Sequence, residues 1–247
     1  VAGALLFCGF YLTRKAQLLQ LCSAGFLLSY AGITEFTVIP VCVALALYLT
    51  FLAFRQQISW HHLMGFASAA VLPLVLLLYY NYQCFGNPFS FGYGHLQETP
   101  FADGMSSGFF GILYPKWRVA KELLFGLYRG LLPLNPFLLF LSVFSIVNLI
   151  VNARYSKKYR VNRLLKEKYI LPANALKSIA LGIFLYALLL QSSYHFWEGG
   201  AAFGPRHLVF SLPFAALLFF DIPRSVMTHP FYNFTGICGV VFMSLMC

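Results

Sequence analysis

Apolar residues run along this chain in long blocks separated by short polar breaks. The blocks fall at residues 1–12, 18–33, 36–54, 62–82, from Pro133 to about 152, 173–194, 207–220 and from Phe231 onward. Arg14 and Lys15 close the first, and Thr34-Glu35 interrupts the second and third. At a rise of 1.5 Å per residue, the block at 36–54 would reach about 28 Å as a helix, close to the roughly 30 Å hydrocarbon core of a bilayer. The pattern therefore predicts an all-α fold: a polytopic integral membrane helical bundle with about eight apolar segments, counting those cut by the ends of the chain. Residues 83–132 read as a long loop region punctuated by Gly and Pro, and 153–172 as a basic loop. No internal repeat or low-complexity run is evident, so 1–247 reads as one membrane domain.

Composition sharpens this picture. Of the 247 residues 60% are hydrophobic and 10% charged, against about 25% charged in soluble domains. Disordered, collagen-like and disulfide-scaffold classes are excluded. Of the six cysteines, all but Cys84 lie in apolar stretches where they act as small hydrophobes, and no CxxC pair occurs. A net charge of +10 raises the question of nucleic acid, but the basic residues flank the apolar blocks instead of sharing one soluble face. When the loops are placed alternately on two sides, twelve of the 17 Lys and Arg fall on one side and five on the other. The richer side is expected to be cytoplasmic. Five of the seven acids, Glu35, Glu98, Asp103, Glu122 and Glu198, then lie outside with both Gly/Pro-rich loops. Chemistry is expected there. The chain opens on Val1 and stops inside an apolar run, and is read as a piece of a longer protein.

Three outer segments carry candidate chemistry. In Trp197-Glu198-Gly199-Gly200-Ala201-Ala202-Phe203-Gly204-Pro205-Arg206-His207, glycines permit close backbone approach to a ligand, and Pro205 sets the start of the next helix. Arg206 there can grip a phosphate through paired hydrogen bonds, assisted by helix N-terminal amides. The alternative is an arginine that snorkels to lipid headgroups with Glu198 as its partner. In Leu127-Tyr128-Arg129-Gly130-Leu131-Leu132-Pro133-Leu134-Asn135-Pro136, Arg129 repeats the arrangement, with interfacial anchoring by Tyr128 and Arg129 as the alternative. The loop from Phe85 to Gly111 interleaves aromatics with glycine, so that Tyr93 and His95 suit a sugar-stacking or acceptor surface, and Asp103 suits an acceptor or a cation. An aromatic belt or a solvated carboxylate would look the same. Glu35 sits in an apolar context that is costly for an unpaired carboxylate. His195, Glu198 and His207 match no zinc spacing, and His61-His62 reads as an interfacial anchor.

Taken together, the segments SYAGITEF, YYNYQCFGNPFSFGYGH, FADGMSSGFFGI, LYRGLLPLNPFLLF and WEGGAAFGPRHLVFSLPF resemble the later portion of bacterial GT-C membrane glycosyltransferases related to protein O-mannosyltransferases and the lipid A aminoarabinose transferase. The likeness runs from about Gly25 to Phe214 and is concentrated in the order RG, P, GG, GPRHL. It implies inverting transfer of a sugar from a polyprenyl-phosphate donor to a lipid, glycan or protein acceptor, at the outer face of a bacterial inner membrane. It also implies that Arg129 and Arg206 bind the donor phosphate, with Glu198, His207, Tyr128 and Glu35 in support. The family's catalytic aspartate belongs to a first outer loop expected upstream of Val1. No cofactor is assigned, a divalent cation stays open, and no nucleic-acid partner is expected. The rival class is a polytopic transporter or flippase of lipid-linked sugars, with Glu35 as a coupling carboxylate. Transporters hold substrate near the bilayer midplane on broken helices, whereas the polar residues here gather in outer loops.

Overall fold

A computed structural model describes residues 1–13, 17–90, 92–95, 103–105, 107–128, 130–134, 173–199 and 206–217; for 93, 94, 134, 173–177, 206 and 216 it describes the backbone alone. Among the described residues the fold is helical, without strands apart from the isolated bridges Phe109 to Ile112 and Ile112 to Tyr194. The chain divides into two compact units, Val1–Thr99 with Glu167–Ile179, and Pro100–Lys166 with Ala180–Cys247.

In the first unit α1 (Ala2–Leu12), α2 (Leu18–Thr34), α3 (Ile39–Phe54) and α4 (Trp60–Phe85) follow the apolar blocks closely. Helix α2 is the hub, in contact with α1, α3 and α4. Its buried residues, Leu21, Ala24, Gly25, Leu28, Ala31 and Gly32, recur three and four apart and so line one stripe of the helix. Four of the six are Gly or Ala, which lets neighbouring backbones approach. A Cβ placed on Gly25 would overlap the Phe66 carbonyl oxygen of α4 and lie 2.9 Å from its carbon. In return, a Cβ on Gly65 would sit 2.7 Å from Leu18 Cδ1 and 2.9 Å from Cys22 Sγ. Two hydrogen bonds tie helices together across this hub. Ser29 Oγ donates to the Ala70 carbonyl at 2.7 Å, and Cys42 Sγ to the Leu28 carbonyl at 3.2 Å. Pro73 within α4 has no N–H to give the Ala69 carbonyl, so the helix lacks one bond immediately beside the first of these contacts.

Among the described residues two helical stretches are long and apolar enough to cross a membrane, Phe36–Phe54 and Trp60–Phe85. A third of the apolar window of the first, and 11% of that of the second, is buried within the protein. A core helix of a soluble protein would be covered. Instead Val71, Leu72, Leu74, Val75, Leu76, Tyr79 and Tyr80 of α4 are all exposed, an arrangement that is costly in water and natural in lipid. The helix is longer than the apolar block at 62–82, extending from Trp60 to a left-handed C-cap at Gly86, φ 69°. Glycine there takes the conformation that other residues disfavour, and it ends the helix cleanly.

The second unit contains α5 (Trp117–Phe125), the one-turn α6 (Leu131–Leu134), the part of α7 (Ala173–Ser193) from Ala180 onward, and α8 (Leu212–Leu217). The block starting at His207 opens as a 3-10 turn, Arg206–Ser211, before it becomes α-helical. Its core holds Leu123, Leu208 and Phe214, each fully buried. Helix α5 lies within what reads from sequence as loop. It buries Val119, Ala120 and Leu123 and exposes Trp117 and Phe125, so its apolar inner face organises a segment whose overall polarity conceals a helix. The expected span from Pro133 to about 152, the basic loop at 153–172 and the block from Phe231 lie outside the described residues, apart from the first two residues of that span.

Candidate functional site

The second unit joins two of the outer segments singled out from sequence. Residues 107–116 form a turn and a short extended stretch that lie against the end of α7 and the turn after it. Leu113 N–H donates to the Ser193 carbonyl at 2.8 Å, Lys116 N–H to Ser192 at 3.1 Å, and His195 N–H to Gly111 at 2.7 Å. Three backbone bonds over so short a stretch fix the register between segments some eighty residues apart in sequence. Gly111, at φ 79°, turns the chain and leaves room for the Tyr194 ring, whose Cε2 would lie 3.1 Å from an added Cβ. Gly104 is buried beneath His195 and Phe196, where a Cβ would come within 2.8 Å of the imidazole and 2.6 Å of the phenyl ring. Tyr194 is the hub of this junction. Its hydroxyl donates to Met105 Sδ at 3.4 Å, and its ring meets those of Phe196 and His207 edge-on at 6.4 and 5.6 Å.

Beside the junction opens a hollow of about 520 Å³, lined by Lys116, Arg118, Val119, Glu122 and Trp197, all within this unit. Each wall has an identifiable support. The Lys116 backbone is bound to α7, and its carbonyl accepts the first hydrogen bond of α5 from Ala120 N–H at 3.0 Å. Arg118 and Glu122, four residues apart on one turn-to-turn row of α5, project from the same side, while Val119 is anchored in the core. Opposite them, Trp197 is held through its carbonyl, which accepts a hydrogen bond from Nε2 of the buried Gln191. Among the described residues the lining thus combines an ammonium and a guanidinium with one carboxylate and one indole. The same segment carries two cation–ring contacts: Lys116 Nζ lies 5.9 Å from the Tyr114 centroid, and Lys121 Nζ 5.6 Å from that of Trp117.

The residues expected from sequence are distributed as follows. Asp103 is exposed ahead of the turn, and its carbonyl accepts from Ser107 Oγ at 3.2 Å. Glu198 is exposed beside Trp197, His207 is half-buried against Tyr194, and Tyr128 is exposed beyond α5. These four belong to the second unit, whereas Glu35, Tyr93 and His95 belong to the first. Glu35 follows the last residue of α2, half-buried, and accepts from Thr37 Oγ1 at 2.9 Å. His95 stacks on Phe85 at 4.5 Å and pairs through Nε2 with Ser90 Oγ at 2.9 Å, which folds the chain after α4 back onto its own end. The backbone of Tyr93 lies in the same short 3-10 turn. Arg129 and the side chain of Arg206 lie outside the described residues; the Arg206 backbone opens the 3-10 turn before α8.

From sequence, Lys116 and Arg118 read only as outer cations and Glu122 only as an outer acid. Their signal was present in the alternation Lys116-Trp117-Arg118 at the head of an amphipathic stretch, a basic and aromatic mixture suited to an anionic, partly apolar ligand. Among the described residues no group of three or more His, Cys, Asp or Glu is placed to hold a metal ion. No family model matches the chain, and no curated protein or solved structure matches it either.

Proposed function

We propose that the protein is a multi-pass membrane glycosyltransferase of the GT-C type, acting at the outer face of a bacterial inner membrane on a polyprenyl-phosphate-linked sugar. One observation supports this reading above the others: Tyr194 meets both Met105 of one segment that carries the resemblance and His207 of another, and beside this junction lies a hollow with two cations and an indole in its lining. A transferase that takes its donor from the bilayer needs such a place, where the lipid tail stays between helices while the polar headgroup meets the aqueous boundary. The exposed apolar faces of α3 and α4 suit a polytopic bundle set in lipid.

The chemistry asks little more of the protein than electrostatics and a base. The departing group is a lipid phosphate, so guanidinium groups aimed at it stabilise the negative charge that grows as the glycosidic bond breaks. Arg129 and Arg206 take that role in the resemblance. A carboxylate deprotonates the acceptor hydroxyl on the opposite face of the sugar, which gives inversion.

The test is transfer of radiolabelled sugar from a polyprenyl-phosphate donor by membranes containing the protein, with Arg206→Ala as the variant. Loss of transfer with the protein still inserted is the expected result. Unchanged turnover removes the phosphate-binding role of Arg206, and movement of the lipid-linked sugar across the membrane without transfer replaces the reading with that of a flippase.

A further inference from the structure

We propose that the hollow between α5 and Trp197 is a binding site for a saccharide bearing an anionic group, a phosphate or a carboxylate. Its volume of about 520 Å³ suits one sugar with its charged substituent and lies within the range of roughly 300 to 1,000 Å³ usual for small-ligand sites. The lining divides into the parts such a ligand requires. Lys116 and Arg118 supply two positive charges, and the guanidinium offers the paired donors that match a phosphate or carboxylate. The Trp197 indole and Val119 supply an apolar wall against which the C–H face of a pyranose packs. Glu122 supplies acceptors for sugar hydroxyls, which a site for inorganic phosphate alone would not want, because a carboxylate repels the anion. A plain lipid-headgroup anchor would not want it either.

The walls are preset by contacts that do not depend on these side chains. Lys116 is held by its backbone on Ser192, and Trp197 by its backbone on Gln191. Binding therefore costs little ordering of the main chain. The same chemistry can come from the sugar-phosphate head of the donor or from an acidic acceptor; either role in catalysis rests on the transfer reading above, while binding itself does not.

The experiment uses the full chain in detergent, with Trp60→Phe and Trp117→Phe so that Trp197 remains the sole tryptophan. Its fluorescence is titrated with glucose 1-phosphate, glucose and inorganic phosphate. The expected result is saturable quenching by glucose 1-phosphate at concentrations at least about tenfold below those needed for either fragment, with Arg118→Gln weakening it about tenfold, the loss of one charge-assisted hydrogen bond. Arg118 is exposed, so the variant should melt as the parent does. Equal response to inorganic phosphate and sugar phosphate, no saturable response, or full affinity in Arg118→Gln overturns the proposal. Where transfer is active, a raised KM for the acceptor in Arg118→Gln places the acceptor in the hollow, a raised KM for the donor places the donor headgroup there, and neither overturns a catalytic role. Binding without any transfer would sink the proposed function and leave this site standing.

Discussion

Replacing Gly25 by Ala should separate α2 from α4. The added Cβ overlaps the Phe66 carbonyl oxygen and lies 2.9 Å from its carbon and 3.2 Å from its Cα. Carbon atoms in contact prefer roughly 3.5 to 4.0 Å, so one backbone must retreat by about 1 Å. All three opposing atoms are main chain, so no rotamer change relieves the clash. Overpacking costs about 1–3 kcal/mol, and a rigid opponent puts this case near the upper end. Alanine returns about 0.5–1 kcal/mol through its better helix propensity, leaving a net loss of about 2 kcal/mol. At about 2–4 °C per kcal/mol for a chain of this size, the melting temperature should fall by about 4–8 °C. The assay is thermal unfolding in detergent, followed by size-exclusion or thiol-reactive fluorescence. Gly182→Ala is the internal control, since nothing lies within 4 Å of its added Cβ and the propensity gain stands alone. It should hold or raise the melting temperature. If Gly25→Ala melts at or above the parent, close backbone approach at this crossing is not what α2 and α4 depend on.

Two further substitutions test other parts of the structure. Gly86→Ala meets no atom within 4 Å but must hold φ at 69°, so thermal unfolding should show a loss of about 1–2 kcal/mol from conformation alone. Gln191→Leu removes the donor that holds the Trp197 carbonyl; leaving that group unpaired should cost about 1–3 kcal/mol, and Trp197 emission should shift and broaden as the indole loosens. An unchanged spectrum would mean that the wall of the hollow is held by something else.

Much of the helical layout was legible in the order of residues. The apolar blocks at 36–54 and 62–82 reappear among the described residues as stretches long and apolar enough to span a bilayer, because such a crossing demands an unbroken apolar surface and leaves its mark in every residue of the run. The small residues of α2 were equally visible as residues. Less legible was α5, whose inner face of Val119, Ala120 and Leu123 is too short a pattern to stand out among charges. The hollow itself was not legible: Glu198 and Asp103 stand out as loop residues with useful side chains but do not line it, and nothing local pairs Leu113 with Ser193 or His195 with Gly111.

Sequence by itself determined the long apolar helices α1 to α4 and α7, since hydrophobicity and backbone preference act over a few neighbouring residues. Tertiary structure alone decided that the turn at 107–116 rests on the end of α7, that Gly25 faces the Phe66 carbonyl, and that Lys116 and Arg118 share a hollow with Trp197. Those outcomes depend on shape complementarity and backbone hydrogen bonds between segments far apart in the chain, and such pairings are set by the packed whole, with no trace in any single stretch.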